Sequence, residues 1–138
     1  MPLTWTREEN PTWDEHKSRI IGGAPAGAFD LSRYTGGGTL PGEWWRVEEQ
    51  QRVRGYGWMD VVWGDAEILL AVDPAAGRAG IGAFILEQLA NEAASRGVRR
   101  MYNRVRAEHA EGDRVVGWLL RRGFHRVFDS DELERPVR

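Results

Sequence analysis

Apolar and polar residues follow one rhythm up to about residue 73 of this chain and another after residue 80. Leu3 to Thr6 reads as a short first strand. Thr12 or Asp14 is placed to cap a helix through His16, Ile20 and Ile21, which Gly22-Gly23 would stop. Residues 22–42, rich in Gly, Ala and Pro, read as loop with one weak helical turn around Phe29 to Tyr34. Three strands are expected next: Glu43 to Glu49, Val53 to Trp63, and Ala66 to Val72. The last is nearly all apolar and so reads as a buried central strand. Gly64-Asp65 reads as a tight hairpin turn, which makes this stretch an antiparallel meander.

Beyond Pro74 the run Gly77-Arg78-Ala79-Gly80-Ile81-Gly82 opens a helical period. Ile81, Ile85, Leu89 and Ala93 fall on one stripe, and Gly97 stops it. Val98 to Val105 reads as a strand. Asp113 is placed to cap a second helix through Val116, Leu119 and Leu120, ended by Gly123. Phe124 to Phe128 reads as a strong last strand, and the tail to Val137 as a weak one. Strands, a crossover helix and more strands define an α/β or α+β sheet protein.

The length of 138 residues fits one domain, residues 1–138, and a composition 41% hydrophobic and 29% charged is that of a folded chain. No apolar run is long enough to span a membrane, and the expected location is cytoplasmic. With no cysteine, disulfides and thiolate metal sites are excluded. His16, His109 and His125 are too scattered to suggest a metal, so none is expected. A net charge of −2 argues against a nucleic-acid partner. The charge is uneven: residues 1–75 carry 12 acidic and 7 basic side chains, and residues 76–138 carry 9 acidic and 12 basic.

Gly80 and Gly82 stand where a strand hands over to a helix. There the unpaired amides and the positive end of the helix dipole suit a phosphate, and glycine lets it approach the backbone. A dinucleotide fingerprint would need Gly or Ala where Ile85 stands, and a Walker loop would need a Lys that is absent.

The longer string from Ala66 to Pro74, followed by Gly77 to Leu86, resembles the GNAT superfamily of acyl-CoA-dependent N-acetyltransferases. Its marks are an apolar strand ending in Val-x-Pro, a short loop, Q/R-x-x-G-x-G/A and an amphipathic helix. Arg122-Gly123-Phe124 resembles that family's closing Gly-Phe. The resemblance covers about residues 43–128. It implies a mixed, mostly antiparallel central sheet flanked by helices and splayed at the acyl-CoA site. Acetyl-CoA is the implied cosubstrate. Its pantetheine would run along the backbone of Leu70, Ala71 and Val72, and its phosphates would meet Arg78, Ala79, Gly80, Ile81, Gly82 and Ala83. Arg114, near a helix start, is a further candidate for a phosphate. Several features depart from the family pattern. The Asn that often follows the strand ending at Val105 is not evident, with His109 nearby and only loosely comparable. The two helices at the start read as short, and two motif positions differ. The Q/R place falls on Gly77, with the arginine one residue later, and the Tyr that many members carry four residues before Gly-Phe is Leu119.

Acyl transfer to an amine requires removal of a proton and stabilisation of the developing charge. Glu67, at the head of the central strand, is the first candidate base, and Asp60, on one face with Tyr56 and Trp58, is the second. Trp44, Trp45, Trp58, Trp63 and Trp118 are expected mostly in the core. The implied partner is a small-molecule or peptide amine. The acidic first half suggests a cationic one, approaching past Glu43, Glu48, Glu49 or Asp60; a homodimer is left open. Two functions remain: an acetyltransferase, and an acyl-CoA-binding module that senses or pairs without turnover.

Overall fold

Consecutive tryptophans, Trp44 and Trp45, are both buried in one strand, so both faces of the sheet must be covered. The structure, a computed structural model, describes residues 2–31, 34, 37–76 and 80–137. The elements are β1 (Thr4–Arg7), α1 (Glu15–Ile20), β2 (Glu43–Glu49), β3 (Arg52–Val62), β4 (Asp65–Val72), α2 (Ile81–Ser95), β5 (Arg100–Arg104), α3 (Gly112–Leu120), β6 (His125–Arg126) and β7 (Glu132–Pro136). They form a seven-stranded sheet in the order β1-β2-β3-β4-β5-β7-β6, antiparallel everywhere except between β4 and β5.

One face carries α2 and α3. Ile81, Ile85, Leu86, Leu89 and Ala93 of α2 pack with Trp45, Met59, Ile68 and Met101 of the sheet and Leu119 of α3. The helix lies close to β3 because that strand offers glycine. A Cβ on Gly57 would stand 2.6 Å from the Trp5 ring and 3.0 Å from Ile85. The other face carries α1 and the loop after it, with Ile20, Ile21, Tyr34 and Leu40 packed on Trp44, Tyr56 and Trp58.

Within that second core lies the only lysine, Lys17, 1% exposed. Its Nζ donates to Glu8 at 2.7 Å and to Asp14 at 3.3 Å, and stands 4.9 Å from the Tyr56 ring centroid and 5.4 Å from that of Trp44. Burial, and then the carboxylates of Asp14 and Glu8, hold the Tyr56 phenol well above its ordinary range. Asp14 also caps α1, accepting from the Lys17 amide at 2.8 Å.

Several local expectations shift. The β3–β4 turn is Trp63-Gly64 rather than Gly64-Asp65: Val62 pairs with Asp65, and Trp63 and Gly64 both have positive φ, 55° and 82°. Trp63 is thereby thrown to the hairpin tip, 92% exposed, and is no core residue. The cap position of α3 is Glu111, whose side chain makes no capping bond to the helix amides, and Asp113 sits inside the first turn. The last strands reverse in rank. β6 has two residues, both exposed, whereas the charged Glu132–Pro136 is inserted between β5 and β6. There, cross-strand charge pairs substitute for apolar alternation: Arg100 bonds Glu132 and Glu134, each at 2.6 Å. The turn expected around Phe29 to Tyr34 includes residues 32 and 33, which lie outside the described residues.

Candidate functional site

β4 and β5 pair over only three positions, Asp65 with Arg100, Ala66 with Met101 and Glu67 with Tyr102. They then part. At the fork Asn103 Nδ2 donates to the Ile68 carbonyl at 2.8 Å and takes the place of the next ladder bond. That carbonyl therefore points toward β5. Backbone groups alternate sides along a strand, so those of Leu70 and Val72 point the same way. Among the described residues no strand meets them there. The backbone of Ala71 faces β3, opposite Tyr56, so of the three expected residues Ala71 offers this gap no hydrogen bond. A cavity of about 130 Å³ fills the fork, lined by Leu70 on one side, Asn103 and Val105 on the other, and Phe29, Trp118 and Leu119 across it.

The fork leads back to the start of α2. Gly80 is the cap position, with φ 75° and no side-chain cap bond, and the first intrahelical bond runs from Phe84 N to Gly80 O at 3.0 Å. The amides of Ile81, Gly82 and Ala83 are thus first-turn donors. A Cβ on Gly82 would meet Trp118 at 3.4 Å and Val72 at 3.8 Å. The absence of a side chain at Gly82 thus leaves room between the start of α2, Val72 of β4 and Trp118 of α3. Arg78 and Ala79 lie outside the described residues. Arg114 is one helical turn before Trp118, exposed, and bonded to Glu111 at 2.9 Å. It lines a larger cavity, about 680 Å³, beside the β5–α3 loop and away from the first turn of α2.

Asp73 fixes the exit from β4. Its carboxylate accepts from the Ala75 amide at 2.9 Å and pairs with Arg19 of α1 and, at 3.7 Å, Arg54 of β3. Burial alone would push this carboxyl up; the Ala75 amide and the two guanidinium groups outweigh it and hold it below the usual carboxylate range.

Glu67 and Asp60 come together. They are Cα partners across β3 and β4, so their side chains share the α1 face, with Cβ atoms about 5 Å apart. Among the described residues neither has an ion pair or hydrogen bond. Asp60 is exposed, while Glu67 is half-buried and lines a cavity of about 320 Å³ with Phe29, Leu69, Arg104, Arg106 and Asp131. This cavity shares Phe29, Leu69 and Arg104 with the fork, so the two adjoin. Burial, and then the Glu67 charge, push the phenol of the neighbouring Tyr102 up.

The expected acidic approach is different from that drawn from the sequence. Glu43 is held by Arg7 and Arg96 on the α2 face, Glu48 by Arg46, and Glu49 by Arg54, and none of the three lines the Glu67 cavity. That cavity draws Arg104, Arg106, Glu108 and Asp131 from the second half of the chain, so the halves interleave there. Sequence reasoning also passed over Asn103, Asp73 and Phe29. Asn103 had a signal: a side-chain amide in an apolar strand beside the expected splay. Asp73 preceded the Pro of the Val-x-Pro mark, and Phe29 had none.

A family model described as "Acetyltransferase (GNAT) family" matches residues 4–124. No curated protein matches the chain. Solved structures resemble it in fold. The PaiA N-acetyltransferase of Thermoplasma acidophilum, solved with coenzyme A, is 14% identical with a TM-score of 0.57, over 67% of this chain and 59% of that one. The ribosomal-protein-S18-alanine N-acetyltransferase of Escherichia coli is 18% identical with a TM-score of 0.62, over 97% and 94%. The N-acetylglutamate synthase of Neisseria gonorrhoeae, solved with coenzyme A and N-acetyl-glutamate, is 18% identical with a TM-score of 0.67, over 98% of this chain but 35% of that one. This chain thus spans under two thirds of the Thermoplasma and Neisseria proteins.

Proposed function

This chain belongs to the acetyltransferase (GNAT) family, and from that membership we propose that it transfers an acetyl group from acetyl-CoA to a primary amine, with Glu67 as base. Acyl transfer from acetyl-CoA is the chemistry the family supports. The observation that carries the finer reading is the adjacency of the fork to a cavity holding an unpaired carboxylate.

Acetyl-CoA, when bound, supplies an acetyl thioester. The residues of the chain do the rest. First-turn amides of α2, with the positive end of its dipole, hold phosphate. The free backbone groups of Leu70 and Val72 bond the amides of the pantetheine arm. Phe29, Trp118 and Leu119 exclude water from the fork. Glu67 takes the proton of the attacking amine directly or through one water. Asp60, on the same face, favours an acceptor that arrives as an ammonium.

A second reading, an acyl-CoA-binding module without turnover, is favoured by Leu119, which is 3% exposed where many relatives carry a Tyr. The test is calorimetry with acetyl-CoA, followed by release of free thiol across a panel of small amines and peptides. Heat and thiol release together support the enzyme. Heat with no thiol release beyond slow hydrolysis supports the module, and no heat overturns both.

A further inference from the structure

The fork is left without a hydroxyl at Leu119, but a histidine stands in its wall. His109 lies in the β5–α3 loop and lines both the fork cavity, with Leu70, Trp118 and Leu119, and the larger cavity beside it. Its Nδ1 faces the Glu111 amide nitrogen at 2.9 Å. An amide N–H can only donate, so Nδ1 must be the bare nitrogen. The ring is then neutral and carries its hydrogen on Nε2. Among the described residues Nε2 has no hydrogen-bond partner. The hydrogen bond from the Glu111 amide thus fixes the ring with Nε2–H as its donor.

The loop that carries it is clamped. The Ala110 amide donates to Ala26 O at 2.7 Å, the His109 amide to Arg106 O at 3.0 Å, and the Gly112 amide to His109 O at 3.1 Å. Gly27 has φ 78°, and a Cβ there would stand 2.1 Å from Glu108 O. Only glycine allows the two loops to meet this closely.

We propose that His109 donates its Nε2–H to the sulfur of the bound acyl carrier and stabilises the charge that develops there. This rests on the fork being the acyl-CoA site. In the step, the C–N bond forms as Glu67 takes the amine proton. The C–S bond breaks with its electron pair on sulfur, where the His109 hydrogen bond receives it. The ring stays neutral throughout; the sulfur takes its proton from water in the larger, open cavity, and Glu67 returns the amine proton to solvent, so that the carboxylate is regenerated. His109 thus does part of what the usual tyrosine hydroxyl would do, without acting as a proton-transferring acid.

The experiment uses the whole chain with coenzyme A as free thiol, and with a desulfo analogue as control. Binding is measured by calorimetry, the acidity of the bound thiol by the ultraviolet absorbance of its thiolate against pH, and the tautomer of His109 by ¹⁵N spectra. A hydrogen bond to a charged group of ordinary strength should make the bound thiol more acidic than in His109→Leu by about one to two pH units. His109→Gln, which keeps an N–H donor, should recover part of that difference. The His109 Nε2–H resonance should move with coenzyme A and stay in place with the desulfo analogue. Equal thiol acidity in wild type and His109→Leu, with both binding coenzyme A, overturns the proposal. So does a wild-type ring found with its hydrogen on Nδ1, a measurement that does not depend on any variant folding. Failure of wild type to bind coenzyme A at all overturns the site itself, and is told apart by its absent heat.

Discussion

Replacing Lys17 by Met tests how the acceptor-side core is held. Met keeps the length and flexibility of the side chain, so packing is little changed and the charge is what is lost. Glu8, whose side chain is 10% exposed, then loses its 2.7 Å bond, and Asp14 loses one at 3.3 Å. Breaking a buried pair from one side costs about 3–5 kcal/mol, because the other charge is left in low dielectric. Here two contacts survive: Arg46 stands 3.5 Å from Glu8, and the residue-17 amide still donates to Asp14. The lower end, about 3 kcal/mol, is therefore expected. For a chain of 138 residues each kcal/mol moves Tm by about 3–4 °C, so Tm should fall by about 10 °C. Calorimetry on Lys17→Met, Glu8→Gln and the double variant separates charge from packing. If the charge argument is right, the double variant regains most of what Lys17→Met lost. A single variant that melts within about 2 °C of wild type would refute it. So would a double variant no better than the single, since the loss would then lie in packing over Trp44 and Tyr56.

Three further outcomes are expected. Glu67→Gln should leave the heat of acetyl-CoA binding unchanged and lower turnover roughly 10²-fold or more; an unchanged rate would move the role to Asp60. Gly82→Ala should fold, since its Cβ finds ordinary contact distances, yet weaken acetyl-CoA by narrowing the passage between Val72 and Trp118, with Gly82→Val weaker still; calorimetry showing equal affinity in all three would remove that passage from the site. Asp73 has a lowered folded-state pKa, so its contribution to stability is present above the unfolded carboxylate range and is lost as pH falls through the folded value. Asp73→Asn should therefore lower Tm at neutral pH and flatten its dependence on pH on the acid side; an unchanged acid slope would contradict the assignment.

The elements with strong periodicity were legible in the sequence. Strand Glu43–Glu49 and the α2 stripe of Ile81, Ile85, Leu89 and Ala93 stand where the pattern places them, because a buried face imposes its period on the chain. The β7 strand was underrated because its side chains are charged. Ion pairs with Arg100 and Arg104 hold it, and such pairs leave no hydrophobic alternation to read. Trp63 misled through its chemistry, since a left-handed turn position sets it outside whatever its size. At the site, Glu67 and Asp60 were each singled out, but that they face each other depends on strand register, which only pairing reveals. Asn103 acts through one hydrogen bond across the fold, and spacing in the chain carries no record of such a bond. The His109 bond is local, from the Glu111 amide two residues on, but that its loop closes on the fork depends on the tertiary fold.

The parting of β4 and β5 after three pairs has a mechanical meaning. On one side lie β1 to β4, on the other β5, β7 and β6, and the strand-to-strand seam between them is three residue pairs and the Asn103 bond. The helical-face core still spans the seam, so the two leaves are joined there more by side-chain packing than by strand hydrogen bonds. A ligand that bonds the free edge of β4 and leans on α3 spans both leaves at once. Its occupancy would add backbone bonds that the unpaired end of β4 otherwise lacks, and so tie the two leaves together where the ladder stops.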